Sequence, residues 1–160
     1  MNKMISFLLA AWCCITAGYD AHAQMTGNAI LNIVTIGQDG PAVKAVRDFW
    51  KKNGDQKGEK WFRLTAGFLA EFTEGGIPNK IVYDKWGRWL YSMREYSEKE
   101  LPKDVWRLVK GIYFEYSIGC VKEVSQPLAL TYVIHIENQE EWKDLVVRDG
   151  EIAVWKEFAK

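Results

Sequence analysis

Apolar residues recur along this chain with two different periods, and the alternation between the periods divides it into elements. Val43, Val46, Phe49 and Trp50 fall at helical spacing behind Pro41, and Asn53-Gly54 stops the run. Proline is tolerated near a first helical position because its missing N–H has no partner there in any case, so the spacing predicts an amphipathic helix. From Trp61 to Thr73 the period drops to two. Phe62, Leu64, Ala66, Phe68, Ala70 and Phe72 point one way, and Trp61, Arg63, Thr65, Gly67, Leu69 and Glu71 the other. This predicts one long strand with an apolar face and a mixed face, as in an antiparallel sheet covered on a single side. Gly75-Gly76-Ile77-Pro78-Asn79 then turns the chain. Lys80 to Tyr83 and Arg88 to Tyr96 predict a hairpin around Asp84-Lys85-Trp86-Gly87, with Gly87 suited to a positive φ.

After the hairpin the pattern restarts. Leu101-Pro102 opens a second helix carrying Val105, Leu108, Val109, Ile112 and Tyr113, and Asp104 in its first turn suits the positive end of the helix dipole. Ile118 to Val124, Leu130 to Glu137, Trp142 to Val147 and Glu151 to Phe158 follow as strands, the last two joined through Arg148-Asp149-Gly150. The predicted order is a helix and three strands, then a helix and four strands. Pro41 and Pro102 lie 61 positions apart and Gly87 and Gly150 lie 63 apart, which supports a tandem repeat of about 60 residues, roughly 41–98 and 99–160. Two units of that size cannot each hide a sheet face alone. The expected fold is therefore α+β, with both helices on one face of an antiparallel sheet and the opposite face open to water.

The residues before the first helix change what is available for chemistry. Lys3, the apolar run Ile5 to Ala17 and the small-x-small site Ala21-His22-Ala23 form a secretory signal, with cleavage expected after Ala23. The apolar run is shorter than the ~20 residues a spanning helix needs, so no stable membrane insertion is expected after cleavage. Residues 24–40 form a leader in which Ala29 to Ile36 is apolar enough to add an edge strand. Removal of the signal takes away Trp12, Cys13, Cys14 and His22, which leaves Cys120 and His135 as the single cysteine and histidine. An exported protein with one cysteine has no internal disulfide, so its stability must come from its core. Cys120 lies in the apolar-flanked run Ile118 to Val121 and is expected to be a buried, inert thiol.

Four local patterns together resemble the PepSY-like family of exported bacterial proteins, whose fold is similar to that of the beta-lactamase inhibitory protein. They are the passage from Phe49-Trp50-Lys51-Lys52 to Trp61, the hairpin Tyr83 to Leu90, the helix opening Leu101-Pro102, and the closing hairpin around Asp149-Gly150. They span about Pro41 to Phe158, and they are turn and cap residues in a recurring order rather than a catalytic signature. The resemblance implies tandem helix-plus-sheet units, a periplasmic location and a role in binding or inhibiting another protein. It transfers no inhibitory target. The inhibitory protein also uses disulfides, which a single mature cysteine does not allow.

The remaining inventory excludes more than it offers. Lys and Arg number 21 against 21 Asp and Glu, so no net field gathers phosphates and nucleic acid is not an expected partner. A Ser-His-Asp or Cys-His triad would have to use His135 with Cys120, Ser92, Ser97, Ser117 or Ser125, and no nucleophile elbow surrounds any of these. One histidine and one cysteine do not make a zinc site, and Glu137, Glu140 and Glu141 lack the spaced loop of a calcium site. No metal, cofactor or catalytic activity is expected. What is left is aromatic: the chain carries 8 Trp, 7 Tyr and 7 Phe. In the strand from Arg88 to Tyr96, Trp89, Tyr91 and Met93 share one face by alternation, and Arg88, Leu90, Ser92, Arg94 and Tyr96 the other. Two roles compete for these rings. Trp61, Trp89, Trp142 and Trp155 would fill a core without disulfides, whereas Trp86, Arg88, Trp89 and Tyr91 would present a binding surface of hot-spot composition. The sequence thus supports a non-enzymatic periplasmic protein contacting an unidentified protein or peptide. The alternative is a small-molecule carrier whose ligand sits between helices and sheet against Phe68, Phe72 and Trp106.

Overall fold

The computed structural model describes residues 32–33, 42–56 and 58–160. The signal segment, most of the leader and Pro41 lie outside the described residues. Among the described residues, nine antiparallel strands form one sheet in chain order, each paired with the next: β1 (Asn32–Ile33), β2 (Lys60–Leu64), β3 (Gly67–Glu74), β4 (Ile77–Asp84), β5 (Trp89–Ser97), β6 (Ser117–Gln126), β7 (Ala129–Glu137), β8 (Glu141–Arg148) and β9 (Glu151–Ala159). Helix α1 (Val43–Asn53) precedes β2. Helix α2 (Lys103–Ile112) lies between β5 and β6 behind a short 3₁₀ turn, Glu98–Glu100. Of the leader, Asn32 and Ile33 pair with Arg63 and Phe62, so two residues of the stretch Ala29 to Ile36, expected to add an edge strand, form one.

The long strand expected from Trp61 to Thr73 is instead two strands. Arg63 pairs with Phe68 and Trp61 with Ala70, so the chain reverses at Thr65-Ala66 and the first helix is followed by four strands, not three. Neither turn residue has a positive φ, hence no glycine or asparagine marks the reversal. The reversal also changes parity. Trp61 joins Phe68, Ala70 and Phe72 on the buried face, contrary to an uninterrupted alternation. The β3–β4, β4–β5 and β8–β9 turns sit where the glycines predict them, with positive φ at Gly75, Gly76, Gly87 and Gly150.

Each helix covers its own core. Ala45, Val46 and Phe49 of α1 pack on Trp61, Phe68 and Phe72, and the Phe49 ring meets those of Trp61 and Phe72 edge-on at 5.5 and 5.2 Å. Full burial of a ring of this size contributes about 1.5–3 kcal/mol. Val43 and Trp50, expected on the apolar stripe, are exposed, because the buried arc of α1 is centred on Val46 and Phe49. Val105 and Val109 of α2 pack on Val121, Ile134, Ile136 and Leu145, while Ile112 lies outside. Gly54 ends α1 with φ 68, its N–H donating to the Trp50 carbonyl. Lys110 closes α2 by donating to the carbonyls of Phe114 and Tyr116.

Both helices lie on the same side of the sheet. Ile81 belongs to the α1 core and pairs with Ser92, and alternation from Ser92 through Arg94 reaches Tyr96, which belongs to the α2 core. Between the two cores runs a polar seam. Arg94 sits across from Asn79 on one side and Glu123 on the other, and Glu123 accepts a hydrogen bond of 2.6 Å from the Tyr96 hydroxyl. Burial first, and then this carboxylate, push the Tyr96 pKa upward. Among the described residues no helix is long and apolar enough to cross a membrane.

Candidate protein-binding surface

No element among the described residues covers the second face of the sheet. Register carries one belt of side chains across it. Val82 pairs with Tyr91, Met93 with Val124, Lys122 with Val133 and Val133 with Val146. Beyond these, His135 pairs with Asp144 and Trp142 with Phe158. Val82, Val124 and Val133 form a buried aliphatic floor, while Tyr91, Met93 and Trp142 are half-buried and Phe158 is exposed. Burial raises the Tyr91 pKa. At the far end of the belt the rings of Trp142 and Phe158 stack with centroids 4.4 Å apart, and His135 lies 5.3 Å from Trp142.

The four residues expected to form one surface are divided among three places. Tyr91 belongs to the uncovered face. Trp89 does not share it: Val82 pairs with Tyr91 but Tyr83 pairs with Trp89, so Leu90 is an extra residue and the bulge turns Trp89 onto the helix side. There Trp89 packs against the α1 core, donates its indole N–H to Ser92 at 2.9 Å and receives Lys52 over its ring. Trp86 and Arg88 occupy the hairpin tip. Trp86 is 58% exposed and lies between Lys85 and Arg88, whose cations stand 4.4 and 4.8 Å from its ring centroid. The tip leans on the start of α1, where a Cβ at Gly87 would stand 2.8 Å from the backbone N of Ala45.

The tip owes its shape to Asp84. One oxygen accepts from the backbone N–H groups of Trp86 and Arg88 at 2.9 Å each, and the other accepts from Arg88 Nε at 2.6 Å. Burial pushes this carboxyl up, but the hydrogen bonds from Arg88 and Trp86 outweigh it and hold the pKa below the ordinary value.

Of the tryptophans expected to fill a core, Trp61 does so, and Trp89 borders one. Trp142 and Trp155 lie half-buried, Trp142 on the uncovered face and Trp155 as an extra residue in β9 with Lys156 over its ring. The Trp142–Phe158 stack was not legible as a site. Alternation along each strand gives their faces, but only the pairing of β8 with β9 brings the rings together.

The reactive side chains adopt an unreactive arrangement. His135 Nδ1 lies 2.8 Å from Asp144 Oδ1, as a base and its orienting carboxylate would. Cys120, on the neighbouring strand, donates to Glu95 at 3.2 Å. Burial, then the hydrogen bond and charge of Glu95, push its thiol up to about 11, so the nucleophilic thiolate is suppressed. The thiol is half-buried rather than fully buried, because Cys120 pairs with Ser97 in regular register with Glu95 and Met93 and so lies on the uncovered face. Among the described residues, no three His, Cys, Asp or Glu side chains gather as metal ligands. Glu137 and Glu140 line an open polar depression together with Ser117, Asn138 and Lys160, and Glu137 is paired there to Lys160 at 2.7 Å. The residues named for a carrier site are not brought together. Phe68 and Phe72 are buried in the α1 core, whereas Trp106 lies on the outer side of α2 and donates to Glu98.

No protein-family model matches the chain, and no curated protein matches it. Solved structures do. A BLIP-like protein from Bacteroides fragilis aligns at a TM-score of 0.61 and 18% identity, covering 77% of this chain and 89% of that one. A DUF2874 family protein from Bacteroides ovatus aligns at 0.60 and 17% identity, with 76% and 89% covered. A Bacteroides eggerthii protein assigned provisionally to the periplasm aligns at 0.58 and 14% identity, with 75% and 89% covered. At these identities the likeness is one of fold, and the chain has a BLIP-like α+β fold.

Proposed function

We propose that this chain is an exported, PepSY-like periplasmic protein without catalytic activity, which binds a protein or peptide through the uncovered face of its sheet. The observation that carries the reading is the belt from Tyr91 and Met93 to the Trp142–Phe158 stack, apolar and aromatic yet without an intramolecular cover. Buried aromatic anchors ringed by polar groups supply most of the free energy in protein interfaces. Export is supported by the signal-like first 23 residues and by the provisional periplasmic assignment of a structural neighbour. Absence of catalysis is supported by the Cys120 thiol, which is committed to Glu95 and held protonated. The succession of α1 with four strands and α2 with four strands supports two repeats of one ancestral unit.

Capture from periplasmic extract with the full exported chain as bait tests the reading. Tyr91→Ala and Trp142→Ala should each lose the captured partner, while Trp106→Ala on the helix side should retain it. Equal capture by all three variants would overturn the assignment to this face.

A further inference from the structure

The nine-residue strand β9 forms one edge of the sheet, and among the described residues nothing pairs with its outer side. The opposite edge, β1, is two residues long. A long open edge is a template for pairing with another chain, since every second residue turns its N–H and C=O outward. Natural edges usually discourage this with charges and bulges. In β9 both devices are present, but they are arranged so that the strand complements itself.

Register defines the faces. Glu151, Ala153 and Lys156 pair with Arg148, Val146 and Asp144, so they lie on the uncovered face. Ile152 and Val154 pair with Val147 and Leu145 of the α2 core, so they lie on the helix side. Residues five apart in a regular strand face opposite ways, yet Glu151 and Lys156 face the same way, because Trp155 is an extra residue in the ladder and reverses the parity. Two β9 strands laid antiparallel about a two-fold axis at Ala153, each carrying its Trp155 bulge into the new ladder, then match across Glu151 to Lys156. Ala153 meets itself at the axis, where a small side chain is needed. Ile152 faces Val154 of the second copy on the helix side, and Glu151 faces Lys156 of the second copy on the uncovered side. Symmetry repeats each of these pairs. Val154 is 45% exposed and would gain cover.

We propose that two copies of this chain associate through their β9 edges, antiparallel and centred on Ala153, into one continuous sheet. The pairing uses the edge of the sheet, so it is independent of what the uncovered face binds.

Cross-linking and sedimentation of the full exported chain test this. In a Cys120→Ser background, Ala153→Cys should oxidise to a covalent dimer, because directly opposed residues of an antiparallel pair lie within disulfide reach. Glu157→Cys, displaced from the axis, should not. The wild type should sediment as a dimer at micromolar concentration. Lys156→Glu sets glutamate against glutamate twice and should weaken dimerisation by at least about tenfold. The double swap Glu151→Lys/Lys156→Glu should restore it. Circular dichroism of each variant separates loss of association from loss of folding. A monomeric wild type, equal cross-linking at 153 and 157, or a folded double swap that stays monomeric would overturn the proposal.

Discussion

Asp84 and Arg88 close the β4–β5 hairpin tip on each other, with Arg88 Nε donating to Asp84 Oδ2 at 2.6 Å while the Arg88 backbone N–H donates to the other oxygen. The same guanidinium stands over the Trp86 ring, so one carboxylate sets the pose of the most exposed tryptophan at this end of the sheet. Asp84→Ala should therefore loosen the tip, which steady-state anisotropy of Trp86 emission would register as a fall.

The depressed Asp84 pKa also fixes a sign for pH dependence. The unfolded carboxyl titrates near ~3.9, and a folded value below that means the stabilisation is complete above about pH 4 and is lost as pH falls through the folded pKa. Glu137, held down by Lys160, and Glu141, held down by Lys143 and Tyr116, act in the same direction. Urea midpoints should fall on acidification below pH 4, and Asp84→Asn should lower the midpoint at pH 7 while making its decline toward pH 3 shallower. An Asp84→Asn protein with an unchanged acid slope would refute this role.

The two cores should fail independently. Phe49 on α1 and Leu145 on β8 beneath α2 are both fully buried, one in each core, and the Asn79–Arg94–Glu123 seam lies between them. Phe49→Ala should cost about 3–5 kcal/mol and Leu145→Ala about 2–5 kcal/mol. Sites without shared partners add to within roughly 0.5 kcal/mol, so the double variant should equal the sum if it still folds in the presence of stabilising osmolyte. Denaturant titration of the three variants measures this.

Two glycines should resist alanine for different reasons. Gly87 combines a φ of 75 with the close approach to Ala45, so Gly87→Ala strains both the turn and its seat on α1. Gly67 has no positive φ, but a Cβ there would collide with the Tyr83 carbonyl on the paired strand. Gly67→Ala should be the more damaging, since its Cβ would overlap the Tyr83 carbonyl oxygen outright and crowd the Asp84 backbone as well, whereas at Gly87 the nearest backbone atom stands 2.8 Å away. Thermal melts should rank wild type, Gly87→Ala and Gly67→Ala in that order.

The Cys120 thiol should react slowly. With its pKa near 11, the thiolate fraction at pH 8 is on the order of 10⁻³, against ~0.2 for an ordinary thiol near 8.5. Alkylation by iodoacetamide should be roughly a hundredfold slower than for a free cysteine. Glu95→Gln, which removes the neighbouring charge, should speed it severalfold; an unchanged rate would leave burial as the sole cause.

Much of this fold is local and so legible along the chain. Helix spacing located α1 and α2, alternation located six of the later strands, and Gly75-Gly76, Gly87 and Gly150 marked turns because a positive φ there admits few other residues. The Thr65-Ala66 reversal was not legible, since its residues keep negative φ and apolar side chains occur on both sides of it, allowing one alternation to run on unbroken. The candidate surface fared likewise. Trp86 at a tip follows from the turn and the shared face of Tyr91 and Met93 from the period, but which face stays uncovered does not, and Trp89 changed sides at Leu90 because a bulge is set by pairing between strands rather than by the strand that contains it.

The sequence by itself determined where both helices, the six later strands and the glycine turns lie, because those depend on neighbours within a few residues. Tertiary structure alone decided which faces meet. It joined Trp142 to Phe158, set Asp144 against His135 and carried one uncovered face across the sheet, because these relations are made by hydrogen-bond register between strands, which no single strand's sequence contains.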